Sequence, residues 1–176
     1  MSDNMRREKH DKKAAKGGNF LSALCGILGT ALIVLVIAVL VPLAGARIAG
    51  YQLYHITSGS MEPAVPVGSL AIVKPCDPVE LTEGDIIAYY TSDSVVIHRV
   101  FLNQPEKGSL ITKGDANEIS DPRPVRYDNV AGIVTRHYDR LGVVLGVIGS
   151  MKGKVCLIML ILAGGLLQTA GRRLKN

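Results

Sequence analysis

A small antiparallel β domain held between an N-terminal and a C-terminal transmembrane helix is the architecture that this 176-residue sequence predicts. Three observations carry that expectation. Thirty consecutive residues between Lys16 and Arg47 carry no charge, and a second uncharged run of 17 residues covers Val155 to Gly171. Between these runs the chain breaks into short β-branched stretches punctuated by Pro and Gly, the pattern of antiparallel strands with tight connections.

Residues 1–19 hold six Lys or Arg against three acidic residues and read as a basic, disordered cytoplasmic tail. Residues 20–46 form the first expected transmembrane helix. Their core, LSALCGILGTALIVLVIAVLVPLAGA, is apolar on all faces, and at about 1.5 Å per residue it spans a hydrocarbon layer of roughly 30 Å. A removable signal peptide is the alternative, with Ala44-Gly45-Ala46 as an acceptable cleavage site. The apolar run exceeds the usual ~7–15 residues of such a leader, which favours a retained anchor.

Residues 47–151 form the expected β-rich domain. SLAIV (69–73), DIIAYY (85–90), SVVIHRVFL (94–102), SLIT (109–112) and NVAGIVTRHY (129–138) read as strands. Thr91-Ser92-Asp93 makes a turn between two of them, and Val79–Thr82 is the one place where helix competes. Within 94–102, alternation puts Val95, Ile97, Arg99 and Phe101 on one face and Val96, His98, Val100 and Leu102 on the other. The second transmembrane helix is expected at 152–171 and a basic tail at 172–176. LGVVLGVIGSM precedes that helix and is also apolar, but Lys152 and Lys154 interrupt the run and blur its start.

The formal charge of +5 separates by segment. It is +3 before the first apolar run, −3 from Arg47 to Met151, and +5 around and beyond the second run. A nucleic-acid binder would carry its basic patch on the folded domain, so that class is excluded. Basic residues at both ends put both termini in the cytoplasm by the positive-inside rule, with the acidic middle on the other side. A mean hydropathy of +0.27 argues against disorder. Cys25 and Cys156 fall in the apolar runs, leaving Cys76 alone in the middle domain, so no disulfide forms within it.

Three places stand out from the strand pattern. In Thr57-Ser58-Gly59-Ser60-Met61-Glu62-Pro63, a Ser in a glycine-containing turn exposes its hydroxyl and offers its own N–H to a developing oxyanion. Gly59 admits a close backbone approach, and Ser58 adds a second donor. Ser-Gly-Ser is also ordinary loop composition. His98 sits on an otherwise apolar strand face, where a hydrogen-bonded structural histidine is the plain alternative. Lys113-Gly114-Asp115-Ala116-Asn117-Glu118-Ile119-Ser120-Asp121-Pro122-Arg123 is a turn-rich loop whose carboxylates are capable of orienting a histidine. His10, His55 and His137 lack a matching motif, and no closely spaced ligand set suggests a metal.

With these residues in hand the chain resembles a type I signal peptidase. An apolar anchor is followed by SGSMEPAVPVGSLAIV, GDIIAYY, VVIHRV and ITKGDANEISDPR, in that order. The resemblance covers most of the middle domain, and it is to the Ser–His form typical of the endoplasmic reticulum, archaea and some Gram-positive bacteria, since His98 stands where the other form has its dyad Lys. It implies a mainly β catalytic domain of signal-peptidase type and a serine endopeptidase that cleaves signal peptides after small residues, without a cofactor.

Carried over by position, Ser60 matches the nucleophile, His98 the general base, and Asp115 and Asp121 the two acidic positions. Asp121 is slightly less favoured, because Ser120 and Pro122 depart from a more acidic pattern, and the choice of partner for His98 stays open. Ser58 and the Ser60 N–H would form the oxyanion site, with Gly59 and Met61 contacting substrate. Lys113 and Lys74 do not match a dyad lysine. Implied partners are secretory preproteins, the lipid bilayer and the protein translocation channel. The implied location is a prokaryotic plasma membrane, with the endoplasmic reticulum second. Two rival readings are a self-cleaving repressor-type peptidase and a catalytically silent accessory subunit that binds preproteins.

Overall fold

A computed structural model describes residues 2–175 in backbone and 20–174 in side chains. The chain divides into two compact units, one made of the segments up to Leu43 and from Met151 onward, the other of Ala44–Ser150.

The first unit pairs two apolar helices. Helix α1 runs Ser2–Ile48 and includes Pro42. Its stretch Phe20–Ile48 has a peak mean hydropathy of 3.0, and both its length and its composition suit a membrane span. The backbone is already helical at Ser2, where the polar composition leads one to expect a disordered tail. Ala, Lys, Arg and Glu are strong helix formers, and extending an existing helix avoids the cost of a new nucleus. The C-terminal helix of this unit covers Met151–Lys175, with Met151–Leu174 long and apolar enough to span. Ser22 Oγ donates to the Gly171 carbonyl at 2.6 Å, and Gln168 Nε2 donates to Thr30 Oγ1 at 3.1 Å.

The second unit is a seven-stranded antiparallel sheet. Its strands are β1 (Gln52–His55), β2 (Leu70–Lys74), β3 (Ile86–Tyr90), β4 (Val95–Gln104), β5 (Ser109–Lys113), β6 (Val125–Arg126) and β7 (Val130–Tyr138). They lie in the order β1-β2-β7-β3-β4-β5-β6. Five of the seven coincide with the β-branched runs. The two extra strands are edge pieces of four and two residues, and neither has a β-branched run to announce it except Val125. Thr91 N–H donates to the Ser94 carbonyl at 2.8 Å and closes the β3–β4 turn. Near Val79 there is a single 3-10 turn, Pro78–Glu80, capped by the Asp77 carboxylate on the Val79 N–H at 3.0 Å.

Both faces of the sheet are packed, which the period-two alternation arranges directly. Ala71, Val73, Ala88, Ile97 and Ala131 meet Ile56, Met61 and Val65 in one cluster. Ile87, Tyr89, Val100, Leu110 and Val125 meet Leu81 in the other. Along β4 the expected alternation holds as far as Val100. A bulge between Val100 and Leu102 then shifts the register and leaves Phe101 and Leu102 exposed, contrary to the two-face assignment.

LGVVLGVIG, read as a possible approach to the second apolar helix, is a separate helix α2 (Leu141–Gly149) that packs on β1 and β2. The C-terminal helix, α3, begins after Ser150.

Candidate active site

The turn that carries Ser60 follows β1 and is pinned by the residue after it. Met61 is 2% exposed and belongs to the core cluster, while its carbonyl accepts the Val65 N–H at 2.8 Å. Burying Met61 leaves Ser60 at the rim of a cavity of about 220 Å³ whose lining includes Tyr54, Thr57, Ser58, Ser60, Met61 and Ile97. Gly59 and Ser58 are exposed beside it. Met61 thus serves as a floor, anchored from below. The Ser58 and Ser60 hydroxyls are 3.4 Å apart, and the Ser60 N–H meets no acceptor among the described residues.

His98, 7% exposed, projects from β4 toward that turn. Its Nε2 lies 3.1 Å from Ser60 Oγ, and its Nδ1 lies 2.6 Å from Asp121 Oδ2. A serine hydroxyl, an imidazole and a carboxylate are therefore in line, with each ring nitrogen engaged by a different neighbour. Such an arrangement is chemically suited to take a proton from the hydroxyl while the carboxylate holds the ring. The Tyr89 ring stands edge-on to the imidazole, centroids 6.3 Å apart.

The two candidate carboxylates go to different partners. Asp121 faces His98, whereas Asp115 takes a two-point contact from Arg99, Nε at 2.8 Å and Nη2 at 2.6 Å. The sequence leaves the partner of His98 open between the two, and in the structure the carboxylate at the ring is that of Asp121. The reason lies in the strand period: His98 and Arg99 are adjacent on β4 and point to opposite faces, so a loop following β5 offers each a different carboxylate. Arg99 also donates through Nη1 to the Gly84 carbonyl at 2.7 Å. The hydrogen bonds that Arg99 donates to Asp115 hold the guanidinium pKa above its ordinary value, against the opposing effect of burial.

Sequence reasoning missed the residues that hold Asp121. The Thr112 hydroxyl donates to Asp121 Oδ2 at 2.6 Å, and the Tyr89 hydroxyl donates to the same oxygen at 3.2 Å. Thr112 is fully buried, so its hydroxyl must find an acceptor, but a Thr in SLITK carries no sequence signal of that burial. Burial pushes the Tyr89 phenol up to about 12, so it is a hydrogen-bond donor at neutral pH. Lys113 does not reach Ser60; it lines a second hollow of about 340 Å³ with Arg99 and Asp115. Among the described residues there is no group of His, Cys, Asp and Glu side chains that would hold a metal ion.

No family model matches the chain. A curated relative, Signal peptidase I W of Bacillus subtilis (strain 168), is 40% identical to it over 85 residues, a match that takes in 46% of this chain. The chain spans 45% of that relative's length, less than half. By sequence identity the matched stretch is similar to a type I signal peptidase, the family that the order of motifs along the chain also resembles.

Proposed function

We infer that this chain is a membrane-bound serine endopeptidase that removes signal peptides from preproteins. The single observation that carries the reading is the His98 ring, with Nε2 at 3.1 Å from Ser60 Oγ and Nδ1 at 2.6 Å from Asp121. The similarity to Signal peptidase I W supports the choice of preproteins as the substrate class.

In the proposed reaction the scissile carbonyl carbon sits against Ser60 Oγ. His98 Nε2 takes the hydroxyl proton as Oγ attacks, and the imidazolium is stabilised by Asp121. The Ser60 N–H and the Ser58 hydroxyl face the developing oxyanion, a kind of contact worth about 10²–10³ in rate per donor in serine peptidases. The imidazolium returns its proton to the leaving amine. Water, deprotonated by the same nitrogen, then attacks the acyl carbon, and the imidazolium returns that proton to Ser60 Oγ as the ester bond breaks and the carboxylic acid product leaves. Asp115 stands apart from these steps. Paired with Arg99, it holds the loop that follows β5.

The substrate backbone adds as an extended strand alongside the Ser60 turn, and small side chains before the scissile bond enter the cavity lined by Ser58 and Met61. The two apolar helices anchor the enzyme with residues 47–151 outside and both termini in the cytoplasm. There the sheet unit meets preproteins as they leave the translocation channel, and tethering both partners to one membrane raises their effective concentration.

Cleavage of a preprotein in reconstituted vesicles tests this reading. Wild type cleaves; Ser60→Ala and His98→Ala do not, and His98→Lys is inactive or severely impaired. Full activity of the Ser60→Ala protein would sink the mechanism. Protease added outside sealed cells is expected to degrade the sheet unit, and protection would overturn the topology.

A further inference from the structure

We propose that Thr112 and Tyr89 are positioning residues that set both the orientation and the basicity of Asp121 toward His98. The inference rests on the peptidase reading and extends it to two residues outside the Ser60, His98 and Asp121 series.

The geometry is concentrated on one atom. Asp121 Oδ2 faces His98 Nδ1 at 2.6 Å, the Thr112 hydroxyl at 2.6 Å and the Tyr89 hydroxyl at 3.2 Å. Thr112 is 0% exposed and grips Asp121 twice, because its backbone carbonyl also accepts the Asp121 N–H at 2.8 Å. A loop carboxylate is thus fixed to the rigid β5 strand at both its main chain and its side chain. Tyr89 adds a contact from β3 and packs its ring against the imidazole it helps to orient.

Three donors on one carboxylate oxygen also distribute its negative charge. Each hydroxyl bond stabilises the ionised carboxylate and lowers its pull on the imidazolium proton. Without Thr112 Oγ1, Asp121 attracts that proton more strongly, so the imidazolium form of His98 gains. His98 must be neutral to accept the Ser60 proton, and the acid limb of the kcat/KM profile therefore moves to higher pH. Among the described residues, the titratable groups facing His98 are Asp121 from the loop and Tyr89 from β3. Arg99 and Asp115 engage each other on the opposite side of β4.

The test uses the full chain in detergent or vesicles, with Thr112→Val, Thr112→Ser and Tyr89→Phe compared with wild type. Thr112→Val is expected to lower kcat about tenfold or more with KM little changed, as for a lost hydrogen bond to a charged group. Its acid limb moves upward, Tyr89→Phe moves it in the same direction by less, and Thr112→Ser restores both. The ¹⁵N shifts of the His98 ring, followed against pH, should titrate at higher pH in Thr112→Val and in Tyr89→Phe.

A Thr112→Val protein with wild-type kcat and an unmoved limb overturns the proposal. So does a folded Thr112→Ser protein that restores neither quantity. If Thr112→Val does not fold, the ring titration of Tyr89→Phe decides alone, and an unmoved titration overturns the role. Activity of Ser60→Ala would instead overturn the peptidase reading itself, so the two failures are distinguishable.

Discussion

The backbone carbonyl of Ser60 accepts a 2.9 Å hydrogen bond from the Ala116 N–H, so the turn carrying the serine is held by the loop that follows β5. That same loop ends in Asp121, whose N–H bonds the Thr112 carbonyl at 2.8 Å. Serine and carboxylate are therefore registered through one short segment of chain, and His98 closes the arrangement from β4.

Gly114 is what permits the approach. An ideal Cβ at this position would lie 2.6 Å from the Ser60 carbonyl oxygen and 2.8 Å from Asn117 Nδ2. Gly114→Ala is expected to displace Ser60 relative to His98 and reduce kcat by roughly tenfold to a hundredfold, since an error near 1 Å is enough for that. The melting temperature should change much less. Cleavage kinetics beside a thermal melt check this, and wild-type kcat in Gly114→Ala would mean that the loop yields without moving the serine.

Asp115→Asn and Asp121→Asn should separate cleanly. Asp115→Asn weakens a half-buried two-point ion pair with Arg99 and is expected to cost about 1–3 kcal/mol of stability. Asp121→Asn keeps the side-chain shape but offers an amide to His98 Nδ1, favouring the wrong tautomer, and is expected to lower kcat by about 10³–10⁴. Urea unfolding and preprotein cleavage on both variants provide the comparison. If Asp115→Asn proved the more damaging to kcat and Asp121→Asn the more damaging to stability, the assignment of the two carboxylates would be reversed.

Tyr89 makes an alkaline prediction. Burial raises its phenol from 10.0 to about 12, with the nearby Asp121 charge acting in the same direction. The folded state thus holds the phenolic proton more tightly than the unfolded chain does. This contribution to stability is complete below pH ~10 and is lost as pH rises toward ~12. Unfolding free energy should fall more steeply over that interval in wild type than in Tyr89→Phe. Equal slopes in the two proteins would show that the phenol ionises alike when folded and unfolded.

Much of this architecture is legible in the sequence because its signals are local. Val, Ile and Tyr runs between Gly and Pro mark five strands, and uncharged runs mark the two apolar helices. Gln52–His55 escapes because QLYH gains its strand conformation from pairing with β2, a partner 15 or more residues away. At the site, the residue types of Ser60, His98 and the two Asp are readable, but their pairing is not. Which Asp meets His98 depends on the path of the loop between β5 and β6, and no local pattern encodes that path. Thr112 is hidden for another reason: Thr is a good strand former anywhere, so its hydroxyl draws no notice until Asp121 Oδ2 is placed beside it.

The helix pair makes the last prediction. Gly29 and Gly164 meet backbone to backbone: an ideal Cβ on Gly29 would lie 2.6 Å from the Gly164 carbonyl oxygen, and one on Gly164 would lie 2.9 Å from the Gly29 oxygen. Small residues at such crossings let apolar helices approach closely where van der Waals packing, rather than water exclusion, holds them together. The approach in turn brings Ser22 Oγ to the Gly171 carbonyl and Gln168 to Thr30. Gly29→Leu or Gly164→Leu is expected to push the helices apart, break both hydrogen bonds and cost about 1–3 kcal/mol. Gly165→Ala is the control, because a Cβ there meets nothing within 4 Å. Denaturing-detergent titrations in mixed micelles should show both Leu variants unfolding at lower denaturant and the Gly165→Ala protein unchanged. Should Gly165→Ala destabilise as much as Gly164→Leu, close packing at Gly29 and Gly164 would not be what holds the pair.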